Sequence, residues 1–255
     1  MSFEHEQETE AIAILSPLRS GNLHDCPSER PDVQSASHAA WTLAWLETAM
    51  ATLPAIPSSD GSTPLPTFGE FAHWHPLVPD PLAGVERLPA DREQANQLRA
   101  CFPEGIESVP RLSAALPHQV LPRDSDPGNL LMDPQRVTAG FDFACAGRAR
   151  RVLELGVALS WWPVHVLGTG QEWKLIDVFG SASTRQMALS TEEWLALPAV
   201  FRLRDATSLV HRTGRSLARM ETEARMQRRV EPSLWREAWL SAHHHPLRDH
   251  ALAWT

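Results

Sequence analysis

An α-rich α+β domain with one small β-hairpin is what this 255-residue sequence predicts, on three observations. Apolar residues recur at the i, i+3, i+4, i+7 spacing of amphipathic helices through most of the chain. Only NLLM and VTAGFDF, flanking Asp-Pro-Gln-Arg, have the short apolar arms and central turn of a hairpin. The segment RVLELGVALSWW is apolar on most faces, as a helix enclosed by a core is. A hydrophobic content of 43% allows such a core.

Taken in order, residues 1–31 read as a polar segment with one apolar island, AIAILSPL, expected to be an edge strand or hinge. Leu43, Leu46, Met50 and Leu53 then form a helical stripe with Trp41 and Trp45 beside it, ending before Pro54. Proline, glycine and serine make 54–90 irregular, yet FGEFAHWHPLVPDPL carries large apolar groups that can hold it against a core. Asp91 with Gln94 signals the N-terminus of a helix over about 92–102. Ile106, Val109, Leu112 and Leu116 make a further stripe, disturbed by Pro110. Beyond the hairpin and the buried helix, Ser190 with Glu193 caps a helix whose stripe runs Leu203, Thr207, Val210, Gly214 and Leu217. A last helix is expected to start near Pro232, carrying Trp235 and Trp239. The tract His243–His245, with Asp249 and His250, reads as a frayed helix end more simply than as a metal site.

Charge and composition narrow the function. A net charge of −8 argues against a nucleic-acid partner and suits a cationic small molecule better. No apolar run reaches the roughly 18–20 residues that span a bilayer. The acidic start MSFEHEQETE lacks signal-peptide order, so a cytoplasmic location is expected. Cys26, Cys101 and Cys145 have no metal-ligand spacing and are expected to be reduced, structural thiols.

The hairpin carries the chemistry. With its arms paired around the four-residue turn, Met132 faces Val137, Asn129 falls opposite Gly140, and Asp142 lies just past the open end. Two hard oxygen ligands gathered there suit Mg²⁺, which completes its shell with phosphate and water. Asp124 is joined to Asn129 by Ser-Asp-Pro-Gly, a tight turn able to present its carboxylate to the same phosphate. Asp, four residues, Asn, twelve residues, Asp-Phe is also the order in which kinases place a catalytic base and two metal ligands.

At PRDSDPGNLLMDPQRVTAGFDFACAGRARRVLELGVALSWW the chain resembles the aminoglycoside phosphotransferase superfamily, which includes choline kinase-like and homoserine kinase-like enzymes. The resemblance extends over about residues 13–245 and is dense between 117 and 162. It implies a protein-kinase-like fold, represented mainly by the helical C-terminal lobe at 32–245, with 1–31 a vestigial hinge segment and 246–255 a tail. It further implies ATP and Mg²⁺ as cofactors and a small-molecule hydroxyl, of an aminoglycoside or amino alcohol, as acceptor. Asp124 becomes the catalytic base, with Asn129 and Asp142 as metal ligands.

Pro122 stands where the family has a buttressing histidine, Asp126 where a histidine is common, and Ala144 where an acidic residue often follows the Asp-Phe pair. Glu154 stands in place of a helix aspartate. Lys174 is the one lysine among 23 basic residues, and the glycines before Asp124 are scattered, so most of the nucleotide-clamping lobe is expected to be missing. A second expectation, of a different class, is therefore a truncated pseudoenzyme that binds a ligand or partner. His73 and His75 as ligands, Trp161 and Trp162 as a pocket wall, and Asp205 and Glu193 as amine-binding carboxylates are weighed against plain packing and solvated helix faces, which are simpler.

Overall fold

The computed structural model describes residues 33–53, 74–87, 91–111, 116–133, 136–163 and 166–254. AIAILSPL, His73, Leu112 and the hairpin apex Pro134-Gln135 lie outside the described residues.

Seven α-helices among the described residues carry the fold: α1 (Val33–Met50), α2 (Pro81–Val85), α3 (Arg92–Arg111), α4 (Val152–Trp161), α5 (Glu172–Thr184), α6 (Thr191–Leu217) and α7 (Glu223–Leu252). Between α3 and α4 lie four short strands, β1 (His118–Leu121), β2 (Leu130–Asp133), β3 (Arg136–Gly140) and β4 (Gly147–Arg150). β2 pairs antiparallel with β3, and β1 with β4. No helix among the described residues is long and apolar enough to cross a membrane.

α4 is the apolar helix read from RVLELGVALSWW, and every residue from Val152 to Ser160 is buried. It packs closely on α6, since a Cβ on Gly156 would run into the Val200 side chain. α6 begins at the anticipated capping box: Ser190 Oγ accepts from Glu193 N at 3.4 Å, and Ser190 N donates to Glu193 Oε2 at 2.8 Å. α3 begins the same way, with Asp91 and Gln94 exchanging bonds of 2.8 and 3.3 Å.

Three expectations are corrected. α1 faces α5 through Ala36, Ala39, Ala40, Leu43 and Ala44, while Trp41 and Trp45 stand 47% and 55% exposed. Small side chains let two helices approach closely, and an indole on that stripe would hold them apart. The first stripe and Ile106 and Val109 of the second lie on one helix, α3, which continues past Pro103 and Pro110, whereas Leu116 lies beyond its end. α7 likewise starts at Glu223, capped by Thr222 Oγ1 accepting from Arg225 N at 3.3 Å, and runs through Pro232 and Pro246. Along α7, burial of Met226, Val230, Trp239, Leu240, Leu247 and Ala251 outweighs the single backbone bond a proline removes. The supposed tail is thus part of the core: Leu247 and Ala251 are fully buried, and Trp254 packs against the face of Gly180. His250 Nδ1 lies 2.7 Å from Asp177 Oδ1, and its ring stacks on Trp173.

Candidate active site

The four strands form an interrupted ladder. Leu121 pairs with Gly147 at one end, and Leu130 with Gly140 at the other. Two loops therefore run side by side between the paired ends, 122–129 from β1 to β2 and 141–146 from β3 to β4. Asp124 and Asn129 are on the first, and Asp142 is on the second.

The hairpin register carries one departure. Met132 faces Val137 as expected, but a bulge between Leu131 and Met132 shifts the rest, so that Leu131 meets Ala139 and Leu130 meets Gly140. Thr138 is the extra residue, its hydroxyl donating to the Leu131 carbonyl at 3.1 Å. Asn129 consequently sits beside Phe141, not Gly140, and its carbonyl accepts the Phe141 N–H at 3.0 Å. Asp142 follows immediately.

In the first loop, Asp126 Oδ1 accepts from Gly128 N at 2.7 Å, and its carbonyl accepts from Asn129 N at 2.8 Å, closing the short 3₁₀ turn Pro127–Asn129. That turn aims the Asn129 amide back along the chain. Its Nδ2 donates to the Asp124 carbonyl at 2.9 Å and to Asp124 Oδ2 at 3.2 Å. With the amide nitrogen engaged, Asn129 Oδ1 has no partner among the described residues. Asp142 is exposed and its carboxylate caps nothing.

Two of the three non-glycine residues with positive φ among the described residues occur here, Arg123 at +66° and Asp142 at +60°. Each such conformation costs about 1–2 kcal/mol and persists only where the surroundings impose it. For Arg123 the imposing group is Glu154 in the first turns of α4. Its Oε2 accepts the Arg123 N–H at 2.6 Å, and its Oε1 accepts from the buried Ser125 hydroxyl. Glu154 is 1% exposed, and burial pushes its carboxyl up to about 7 against the pull of those bonds. Buried Glu47, on α1, is raised as well, by burial and by the Glu154 charge, with Arg151 opposing. The bracing role of Glu154 was not read from sequence; the available signal was that it is the only charged side chain inside an otherwise apolar helix.

Burial is also the main reason that Asp124 is raised above the ordinary aspartate value, with the charge of Asp126 adding to it and Asn129 and Arg204 opposing. A half-buried carboxylate so raised holds a proton more strongly than a free one, which suits a general base. No three His, Cys, Asp or Glu side chains among the described residues cluster closely enough to hold a metal ion by themselves. A hard cation placed between Asn129 Oδ1 and Asp142 would draw the rest of its shell from phosphate and water.

Other candidates fall elsewhere. Trp162 is core, packed on Phe179, whereas Trp161 is half-buried beneath the guanidinium of Arg204, 4.3 Å from the ring centroid. Glu193 is fully buried and takes a bidentate pair from Arg151 at 2.6 and 2.7 Å. Asp205 is paired with Arg204 and Arg236. His75 packs edge-on to His211.

The family model described as the phosphotransferase enzyme family matches residues 17–173, more than half of the chain. The solved structure of a microcompartment-associated aminopropanol kinase is similar at 13% identity with a TM-score of 0.61, over 90% of this chain and 67% of that one. At that identity the likeness is one of fold, and the fold is kinase-like: a helical lobe carrying a small hairpin. No curated protein matches the sequence. A braced loop bearing Asp124 and Asn129, a neighbouring loop bearing Asp142, and the match over 17–173 place the chain in the phosphotransferase enzyme family.

Proposed function

We propose that the chain transfers the γ-phosphoryl group of ATP, with Mg²⁺, to a hydroxyl of a small molecule. The observation that carries this reading is the Asn129 bridge: its side-chain amide donates to Asp124 while its backbone carbonyl accepts the Phe141 N–H, one residue before Asp142. Asp124 accepts the proton of the attacking hydroxyl. The freed oxygen bonds to γ-phosphorus as the bridging P–O bond breaks and ADP departs, so proton and charge balance. Asn129 Oδ1 and Asp142 hold the metal, which when bound neutralises charge on the phosphates. Glu154 keeps Asp124 in place through Arg123 N and Ser125.

The alternative is a ligand-binding pseudoenzyme, and one observation favours it. Lys174, the chain's single lysine, lies on α5 and not on either loop, so these residues supply no lysine clamp for the phosphates. Calorimetry with ATP and Mg²⁺ separates the two. The phosphotransferase reading expects saturable heat at sub-millimolar to millimolar nucleotide that disappears with excess EDTA. Absence of binding at millimolar ATP rejects it for this chain.

A further inference from the structure

Within electrostatic reach of the Asp124 loop, α6 and α7 hold a charged group of the opposite sign. Arg204 and Arg236 are each 6% exposed, yet they share a single carboxylate. Arg204 NH1 donates to Asp205 Oδ1 at 2.7 Å, while Arg236 donates through Nε to Oδ2 at 2.7 Å and through NH2 to Oδ1 at 2.9 Å. Both guanidinium groups lie over Trp161, 4.3 and 5.7 Å from its ring centroid. Two arginines against one aspartate leave the group with one excess positive charge.

Its donors are also incompletely used. Arg204 Nε and NH2 and Arg236 NH1 make no hydrogen bond among the described residues. Buried charges are ordinarily paired and their N–H groups satisfied. Guanidinium groups seated on an aromatic ring with N–H donors left over match the planar oxygens of a carboxylate or phosphate. Arg204 also reaches the loop electrostatically: its charge lowers the Asp124 carboxyl, and Asp126 in turn supports Arg204, although neither carboxylate accepts a hydrogen bond from it.

We propose that Arg204 and Arg236, seated on Trp161, bind an anionic substituent of the acceptor, so that the acceptor is a hydroxy compound carrying a carboxylate or phosphate. The inference rests on Asp124 being the base that faces that hydroxyl. The net charge of −8 draws cations only at long range, and salt screens that field beyond roughly 8–10 Å. Recognition at contact is governed by the local excess of arginine.

Three probes on one skeleton test this: glycerate, glycerol and 3-amino-1,2-propanediol, titrated calorimetrically into the full chain with a non-hydrolysable ATP analogue and Mg²⁺. Glycerate is expected to bind at least about tenfold tighter than glycerol, and the amine no tighter than glycerol. Arg204→Gln should erase the preference. Arg204→Lys, which keeps the charge but loses the fork, should reduce it several-fold and serves if the glutamine variant does not fold. No preference for glycerate in the unaltered chain, or a preference that survives Arg204→Gln, overturns the proposal. So does a loss of nucleotide affinity in Arg204→Gln without acceptor, because the oxyanion would then belong to ATP. A glycerate preference without phosphoryl transfer keeps the subsite and sinks the enzymatic reading, whereas equal turnover of glycerol and glycerate does the reverse.

Discussion

Asp124→Asn is expected to lower kcat by about 10²- to 10⁴-fold, the range a positioned general base supplies, without unfolding the protein. Asparagine keeps the shape and leaves an oxygen to accept from Asn129 Nδ2, so the loop retains its bonds at 2.9 and 3.2 Å. Stability should move the other way. A carboxyl raised chiefly by burial is disfavoured in its ionised form, and the amide removes that cost, so the variant should melt no lower than the parent at pH 8. Loss of turnover together with an unchanged or higher Tm marks a catalytic group; parallel losses of both would mark a structural one. Undiminished transfer would show that another group takes the proton.

Glu154→Ala should cause the largest loss of structure. It leaves the Arg123 N–H and the Ser125 hydroxyl without acceptors in a buried site, at about 1–3 kcal/mol each. The size depends on pH. Glu154 titrates near 7 in the folded chain against an ordinary 4.5, so its contribution to stability is complete below 4.5 and is lost as pH rises through 7. By linkage that shift is worth about 3 kcal/mol. Glu47, raised for the same reason, acts with the same sign. The parent should therefore be more stable to urea at pH 5.5 than at pH 8, and the alanine variant should lose most at pH 5.5. Glu154→Gln can still accept from Arg123 N and donate to Ser125, so it should keep the loop and flatten the pH dependence. A parent whose stability rises from pH 5.5 to 8, with the glutamine variant parallel to it, would contradict this assignment.

Much of this architecture was legible in the sequence because its signals are local. The capping residues Asp91–Gln94 and Ser190–Glu193 act within three residues of themselves, and both were read correctly. The apolar run of α4 and the pairing of Met132 with Val137 are likewise local. What escaped depends on partners distant in sequence. Thr138 bulges against Leu131, and no composition signal announces it. The alanine face of α1 is set by its closeness to α5; Pro103 and Pro110 lie within α3, and Pro232 and Pro246 within α7, where burial along the helix overrides them. Glu154 acts on a loop 31 residues earlier, and Arg204 meets Arg236 only through Asp205. Their roles arise from packing, which periodicity does not report.

The account turns on whether loops 122–129 and 141–146 together form one cation and phosphate site. Its most direct test is titration of Mn²⁺ in the presence of ATP, followed by electron paramagnetic resonance, for the parent, Asn129→Ala and Asp142→Ala. One saturable nucleotide-dependent site, weakened at least tenfold in each variant while their Tm values stay near that of the parent, is the expected result. Binding of Mn²⁺ with ATP that is indifferent to both substitutions would contradict it.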